Sequence, residues 1–432
     1  MTMITRRRFL AAGTSVAAAG LFTGTRATAA LPPNIRIGTV FPTKTGESFV
    51  RASINDYIGT AGRIGTLLAE TQIGTAVESQ GTSLDVLLTT SPTADVAIRA
   101  GERLVETGNI HALVGGVGEG QAEVLADIAA RAKLPFFNIG ETSDAFRREA
   151  LSPYLFHIEA SDAMYLDALG QLAAREGQTR WIVAAGTDDR GMALAARAKR
   201  AASKAGCTIV KSVGVPPAIP VYYSQVEEMV GVEADVIFVL VDYQDLFPLM
   251  VQMEEQGITT PVLKFPHTIT QTRDFFAASR NRLPVLNPRY HLALWETTDT
   301  RAGAEDFNLQ VRARYAEPAD PTAWAAYHAI KIIVDTVLAT GSTEASAMIA
   351  YLEDPATTFD LAKGPGVSFR AWDHQLRQPL SVVGVDNDVV WRERELPTRI
   401  AIGRYDGSLP VGQPGSDTAS WLDSLGDGPE ED

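Results

Sequence analysis

Cysteine is almost absent from this chain. Cys207 stands alone, which excludes an intramolecular disulfide, CxxC redox chemistry and a thiolate-rich metal site. Stability must therefore come from burial. Positive charge is also scarce: 38 lysines and arginines face 52 aspartates and glutamates, a net charge of −14. Nucleic acid and anionic membrane surfaces are poor partners for such a balance. Beyond the N-terminal region no run of about eighteen apolar residues occurs, so no later segment reads as membrane-embedded and the mature chain is expected to be soluble. Enzyme signatures are missing as well. There is no GxSxG, HExxH, P-loop or GxGxxG; the run Gly115 to Gly120 is glycine-rich but wrongly spaced, and its Glu119 would oppose phosphate. No catalytic residue is assigned, and a binding protein is expected in place of an enzyme.

What is present begins with an address. Thr5-Arg6-Arg7-Arg8-Phe9-Leu10 followed by the uncharged run Ala11 to Gly24 resembles a twin-arginine export signal, and Ala27-Thr28-Ala29 offers a cleavage site that places the mature start near Ala30. The expected destination is the periplasm. Loss of Arg6, Arg7, Arg8 and Arg26 leaves 34 basic against 52 acidic residues, about −18. That excess is also an ordinary solubility feature.

With 432 residues and 45% hydrophobic content, the chain can fill two cores. From residue 34, short apolar runs alternate with helical patterns, the mark of βαβ units and a mostly parallel sheet. The strands are expected at Ile35 to Phe41, Leu84 to Thr89, Ala112 to Gly116, Phe136 to Ile139, Trp181 to Ala185, Thr208 to Val213, Val236 to Val241, Pro261 to Phe265 and His291 to Trp295. The helices are expected at Ala94 to Thr107, Gln121 to Ala132, Met164 to Glu176, Gly191 to Ala205, Tyr223 to Met229, Leu246 to Gly257 and Thr322 to Thr340. A strand-rich piece, Pro365 to Trp391, precedes a Gly/Pro/Asp-rich tail, residues 406–432, that is expected to be disordered.

Five stretches in order carry a resemblance. The run Leu88 to Glu106 is similar to the strand-loop-helix in which branched-chain amino acid binding proteins carry D-x-x-x-D-P-x-x-A. His111 to Glu119 and Leu134 to Thr142 resemble that family's V-I-G strand and S-P-x-A-T loop. Phe156 to Asp162 and Gly186 to Gly191 resemble its F-R-T-x-x-S-D crossover and D-x-x-Y-G loop. The resemblance implies the type I periplasmic binding protein fold: two Rossmann-like α/β lobes, three crossovers near His157, Thr298 and Phe369, and hinge closure on a ligand. The lobes would comprise residues 31–157 with 300–369, and 158–299 with 370–405. It also implies an ABC transporter permease as partner. Gly364 to Pro379 further resembles a subfamily associated with pyrroloquinoline-quinone-dependent alcohol dehydrogenase systems and with lanthanide utilisation.

The resemblance also marks where this chain departs from its relatives. Glu119 occupies the position of a carboxylate-binding serine, Glu141 stands beside the retained Thr142, and Arg190 replaces a cleft tyrosine. Asp162, Asp188, Asp242 and Asp245 follow strand ends or the crossover, where open α/β sheets bind ligands. Carboxylates converging there suit a hard cation, so Glu119, Glu141 and Asp242 form the expected metal set for calcium or a lanthanide. The alternative is structural: Glu119 complementing a helix N-terminus, Asp162 and Asp188 as caps, and Asp189 paired with Arg190. Tyr243, His267 and Trp295 follow strands aimed at the cleft and could contact an organic ligand, with core packing as the rival for Trp295; His111 reads as structural. The ligand-binding set is Glu119, Glu141, Thr142, Asp162, Arg190, Asp242, Tyr243 and His267. No cofactor is required, and the ligand is either a hard cation or a small polar or aromatic organic molecule such as an amino acid or amide. A sensor or enzyme on the same fold is the remaining alternative.

Overall fold

A computed structural model of the protein describes residues 31–43, 49–148, 152–283, 286, 290–301, 303–385 and 403–409. The export signal and residues 410–432 of the tail lie outside them. Strands β1 (Asn34–Pro42), β2 (Ser83–Ser91), β3 (Ala112–Gly115), β4 (Phe136–Asn138) and β5 (Leu155–His157) form one sheet in the order β2-β1-β3-β4-β5. Every neighbouring pair is parallel. Parallel strands need crossover helices on both faces, which is why Ile35, Ile37, Val40, Leu113 and Val114 are all buried. The intervening helices are α1 (Phe49–Glu78), α2 (Ala94–Gly108), α3 (Gln121–Ala132) and α4 (Asp144–Arg148).

A second lobe follows: α5 (Asp162–Arg175), β6 (Arg180–Gly186), α6 (Asp189–Lys204), β7 (Thr208–Val215), α7 (Tyr223–Glu227), β8 (Val236–Leu240), α8 (Tyr243–Glu255), β9 (Val262–Lys264), α9 (Arg273–Arg282) and β10 (Tyr290–Ala293). Its main sheet runs β7-β6-β8-β9, also fully parallel. The chain then returns to the first lobe as α10 (Ala304–Tyr315), α11 (Pro321–Thr340) and α12 (Ala345–Leu352). It finishes with the hairpin β11 (Ser368–Phe369) and β12 (Leu376–Arg377), then β13 (Leu380–Val385) and β14 (Gly403–Leu409), which extend β10 as an antiparallel sheet. Among the described residues no single helix is long and apolar enough to cross a membrane.

Helix starts follow the local chemistry. Thr93, Ser161, Asp188, Asp242 and Thr272 each accept a hydrogen bond from a backbone N–H of the first turn, satisfying a donor that the helix itself leaves unpaired. The two lobes are joined by three crossings, at 158–161, 294–303 and 370–379. The first and third run side by side: the His157 N–H donates to the His374 carbonyl at 2.9 Å, and Gln378 Nε2 donates to the Ile158 carbonyl at 2.6 Å.

Two expectations fail here. Asp406 to Leu409, expected in the disordered tail, belong to β14, where Leu409 pairs with Leu380 and Ser408 with Ser381. Strand pairing uses backbone groups, so a polar Gly/Asp composition does not prevent it. The second failure is α1, a 30-residue helix for which the sequence reading named no element. Its interior glycines weaken helix propensity. Packing requires two of them: a side-chain carbon added at Gly65 would stand 2.1 Å from the Ala323 carbonyl oxygen of α11, and one at Gly62 would stand 2.6 Å from the Phe41 ring.

A paired substitution tests this. Gly65→Ala should destabilise the fold by about 1–3 kcal/mol in urea titrations despite its better helix propensity, because the Ala323 backbone must move. Gly74→Ala, whose new carbon would meet only Leu84 at an ordinary 3.9 Å, should stabilise by roughly 0.5–1 kcal/mol.

Candidate functional site

A cavity of about 350 Å³ opens beyond the C-terminal ends of β3, β4, β6, β8 and β9. Five loops from both lobes enclose it. The first lobe supplies Val117 to Glu119 and Gly140 to Thr142; the second supplies residues around Gly186 to Leu194, Leu240 to Tyr243, and His267 to Ile269. Strand ends meet there because parallel βαβ units place all their carboxyl-end loops on one side.

Arg190, in the first turn of α6, is the central polar group. Its two terminal nitrogens grip both oxygens of Asp162, with Nη2 at 2.7 Å from Oδ1, and Nη2 also donates to Thr142 Oγ1 at 2.7 Å. The guanidinium carbon lies 5.7 Å from the centre of the Phe265 ring. Burial alone would lower the pKa of this guanidinium, but the Asp162 carboxylate more than reverses that and raises it. Asp162 belongs to the second lobe and Thr142 to the first, so Arg190 bridges the cleft. A second bridge runs from Thr268 Oγ1 to the Gly140 carbonyl at 3.2 Å.

The loop 140–143 is held from beneath by groups that the sequence reading missed. Asn138, wholly buried at the end of β4, accepts from the Gly140 and Glu141 N–H groups at 3.1 and 2.9 Å and donates to the Glu141 carbonyl at 2.8 Å. Arg147 of α4, only 3% exposed, donates to the Glu141, Ser143 and Glu159 carbonyls at 3.2, 3.0 and 2.8 Å and to Gln375 Oε1 at 2.7 Å. The signal for Asn138 was present: an amide at the end of an apolar strand, two residues before a glycine, is turn chemistry. Arg147 offered no such signal, since its partners are distant carbonyls.

Glu159 lies in the first crossing, almost fully buried. Burial pushes its carboxyl up to about 7, although Tyr165 Oη donating at 2.6 Å and the Ala160 N–H at 2.9 Å, with Arg147 and Lys363 nearby, pull the other way. The Tyr165 hydroxyl in turn accepts from Gln271 Nε2 at 2.9 Å, and the same amide nitrogen donates to the Pro266 carbonyl at 2.8 Å beside His267. A continuous hydrogen-bonded chain thus runs from the hinge to the cleft loop.

Seven of the eight expected ligand residues, Glu119, Glu141, Thr142, Arg190, Asp242, Tyr243 and His267, line the cavity together. The eighth, Asp162, lies behind Arg190 as its buried counter-charge. Asp188 and Asp242 cap α6 and α8, whereas Ser161 caps α5 in place of Asp162. His267 Nε2 faces the Val241 carbonyl at 2.9 Å, so that nitrogen carries the proton; burial lowers the ring's pKa and keeps it neutral.

Two expectations are corrected, and the choice left open for Trp295 is decided. Glu119, Glu141 and Asp242 do not form a cation site: among the described residues no three His, Cys, Asp or Glu side chains are placed to share a metal ion. Glu141 turns one oxygen to the Ser143 N–H at 2.7 Å and Asp242 turns one to the Gln244 N–H at 2.8 Å, so each has a backbone partner of its own. Arg190 pairs with Asp162, not Asp189. Of the two readings open for Trp295, core packing holds: it is 2% exposed, stacks on Trp324 at 5.5 Å and donates to Asn308 Oδ1. His111 is structural as read, accepting from the Arg36 N–H at 3.1 Å.

A cleft between two parallel-sheet lobes, lined from both and bridged by hydrogen bonds, defines a two-lobed ligand-binding protein. The chain belongs to the periplasmic binding protein family, whose model matches residues 90–389. Solved structures show the same type I fold. A periplasmic binding protein of Burkholderia mallei is 18% identical, covering 91% of this chain and 99% of its own with a TM-score of 0.69. The branched-chain amino acid transporter substrate-binding protein of Streptococcus pneumoniae, in complex with isoleucine, is 18% identical over 87% of this chain and 99% of its own, TM-score 0.67. A solute-binding protein of an ABC transporter from Rhodopseudomonas palustris, in complex with 3,4-dihydroxybenzoic acid, is 18% identical over 82% and 94%, TM-score 0.61. No curated protein matches the sequence.

Two outcomes follow from the buried polar groups. Arg147→Met should cost about 3 kcal/mol or more in urea unfolding, because it strips three carbonyls and Gln375 of their donor inside the fold. Glu159 binds its proton more tightly folded than unfolded, so its stabilising contribution is complete below about pH 4.5 and disappears as pH rises to about 7. Relative to the wild type, Glu159→Gln should therefore gain on the order of 3 kcal/mol between those limits, measured by urea titrations across that range.

Proposed function

We propose that this chain is the solute receptor of an ABC importer, acting in the periplasm after twin-arginine export and serving a permease instead of catalysing a reaction. The observation that carries the reading is the cavity of about 350 Å³ with its two bridges, Arg190 to Thr142 and Thr268 to Gly140. Bonds between lobes exist only while the lobes are together, and a set of chain crossings is the usual hinge for swinging them apart. A solute touching both lobes favours the closed state by its difference in affinity for the two. Glu119, Glu141 and Thr142 would meet it from one side and Arg190, Asp242, Tyr243 and His267 from the other, with Asp162 positioning Arg190.

The solved neighbours hold small organic molecules, isoleucine and dihydroxybenzoate, which supports an organic solute here as well. The resemblance of Gly364 to Pro379 to systems for pyrroloquinoline-quinone-dependent alcohol oxidation bears on the transport system more than on the cleft. Its polar side chains are engaged in the third crossing: Arg370 pairs with Asp373, His374 bonds the Leu155 carbonyl and Glu353, and Gln375 bonds Arg147.

The test is biochemical and genetic. The tagged full chain, recovered under mild detergent from its own cells, should bring down a membrane permease and an ATPase. Arg190→Ala with Thr142→Ala should lower uptake of the transported solute about tenfold or more while the protein remains folded. Turnover of a solute by the purified chain, or uptake indifferent to deletion of the gene, would overturn the reading.

A further inference from the structure

Glu159 is a buried carboxyl that contact with a solute does not use, and it sits where the lobes turn. It lies in the first crossing at 1% exposure, and its Oε1 accepts from the Tyr165 hydroxyl at 2.6 Å and from the Ala160 N–H at 2.9 Å. Gln271 carries this relay onward. Its Nε2 donates to the Tyr165 hydroxyl and to the Pro266 carbonyl, and its Oε1 accepts at 2.6 Å from the N–H of Leu294, where the second crossing begins. The third crossing is tied in by a buried lysine. Lys363, 2% exposed, donates to Gln378 Oε1 at 2.6 Å and to the Pro379 carbonyl at 3.3 Å, and Gln378 donates to the Ile158 carbonyl beside Glu159. One network thus joins all three crossings, with an acid at its centre.

Neither nearby cation bonds the Glu159 carboxyl. Arg147 gives its donors to backbone carbonyls, that of Glu159 included, and to Gln375, whereas Lys363 gives its own to the third crossing, so both act on the carboxyl through space. Behind Lys363 stand Asp299 and Arg301, a pair of opposite sign, and burial drives Lys363 and His157 toward their neutral forms. Burial therefore prevails at Glu159 and lifts its carboxyl to about 7. Its surroundings come from both lobes: Tyr165 and Gln271 belong to the second, Arg147 and Lys363 to the first. Rotation of one lobe about the crossings cannot keep both sets in place, so opening admits water and returns the carboxyl toward its ordinary range. Resting on the reading of the chain as a two-lobed solute receptor, we propose that closure takes up one proton at Glu159, so that acidity favours the closed, solute-holding state. A group that holds its proton more tightly closed than open supports closure below about pH 7 and ceases to do so above it.

The distance between lobes tests this without a solute. Spin labels at Asp95→Cys in α2 and Met192→Cys in α6, both exposed and on opposite lobes, with Cys207→Ser, report that distance by dipolar spectroscopy in the dialysed mature chain. The ratio of short to long distances should rise about tenfold or more from pH 8 to pH 5.5. In Glu159→Gln, whose neutral amide still accepts from Tyr165, it should change by less than about twofold over the same range. Tyr165→Phe removes a donor that favours the carboxylate, so the midpoint of the pH response should move upward. Two distances whose ratio ignores pH overturn the proposal and leave the receptor reading standing. A response that survives in Glu159→Gln does the same, as does a ratio that falls with acidity, which would mean that opening chiefly takes Glu159 away from Arg147 and Lys363. A single distance at every pH in all variants overturns both, because the lobes then do not move.

Discussion

The buried guanidinium of Arg147 is the interaction on which the cleft depends. Three chain crossings converge between the lobes, and each brings backbone carbonyls into a region closed to water, where an unpaired polar group is costly. Arg147 answers three carbonyls and one side-chain amide at once, tying α4 and the cleft loop to the first and third crossings. An arginine suits this place because its planar fork presents several donors in fixed directions. Asn138 completes the support from the strand end, so Glu141 and Thr142 are presented to the cavity by a loop whose backbone has little freedom.

The second lobe meets this fixed loop through Arg190. Its position is set by Asp162, a carboxylate that the fold buries almost completely, and the pair then reaches across to Thr142. The caps of α6 and α8 add Asp188 and Asp242 to the same cavity lining. Electrostatic character in the cleft is therefore a by-product of how helices begin and how one arginine is held. The hinge carries its own ionisable group in Glu159, linked through Tyr165 and Gln271 to the carbonyl beside His267. A proton at the hinge and the geometry of the cleft loop are parts of one hydrogen-bonded chain.

Much of this was legible beforehand. Strand and helix alternation followed from period, and Asp242, Tyr243 and His267 from position at strand ends, while the two lobes and the loops carrying Glu119, Glu141, Thr142 and Arg190 were implied by the family resemblance; all seven residues line the cavity, because a parallel sheet leaves its carboxyl-end loops on one side. What escaped the reading has a common cause. The helix α1 is glycine-rich because it lies against Phe41 and the Ala323 backbone, and those neighbours are far away in sequence. For Trp295 period alone left cleft and core both open, and Trp324 and Asn308, distant in sequence, decide for the core.

The sequence by itself determined the class of fold, the order of elements and which residues stand at the mouths of the strands, since hydrophobic period and turn chemistry act over a few residues. Tertiary structure alone decided the direction of each charge. Glu119, Glu141 and Asp242 looked like a cation site as a list of residues, but a carboxylate's role depends on which donor lies within 3 Å of it, and here Glu141 and Asp242 each accept from a backbone N–H while no three such side chains among the described residues are placed to share a metal ion. Arg190 looked available and proved engaged by Asp162 for the same reason: hydrogen bonds are short and directional, so the partner is chosen by the fold and not by the composition of the loop.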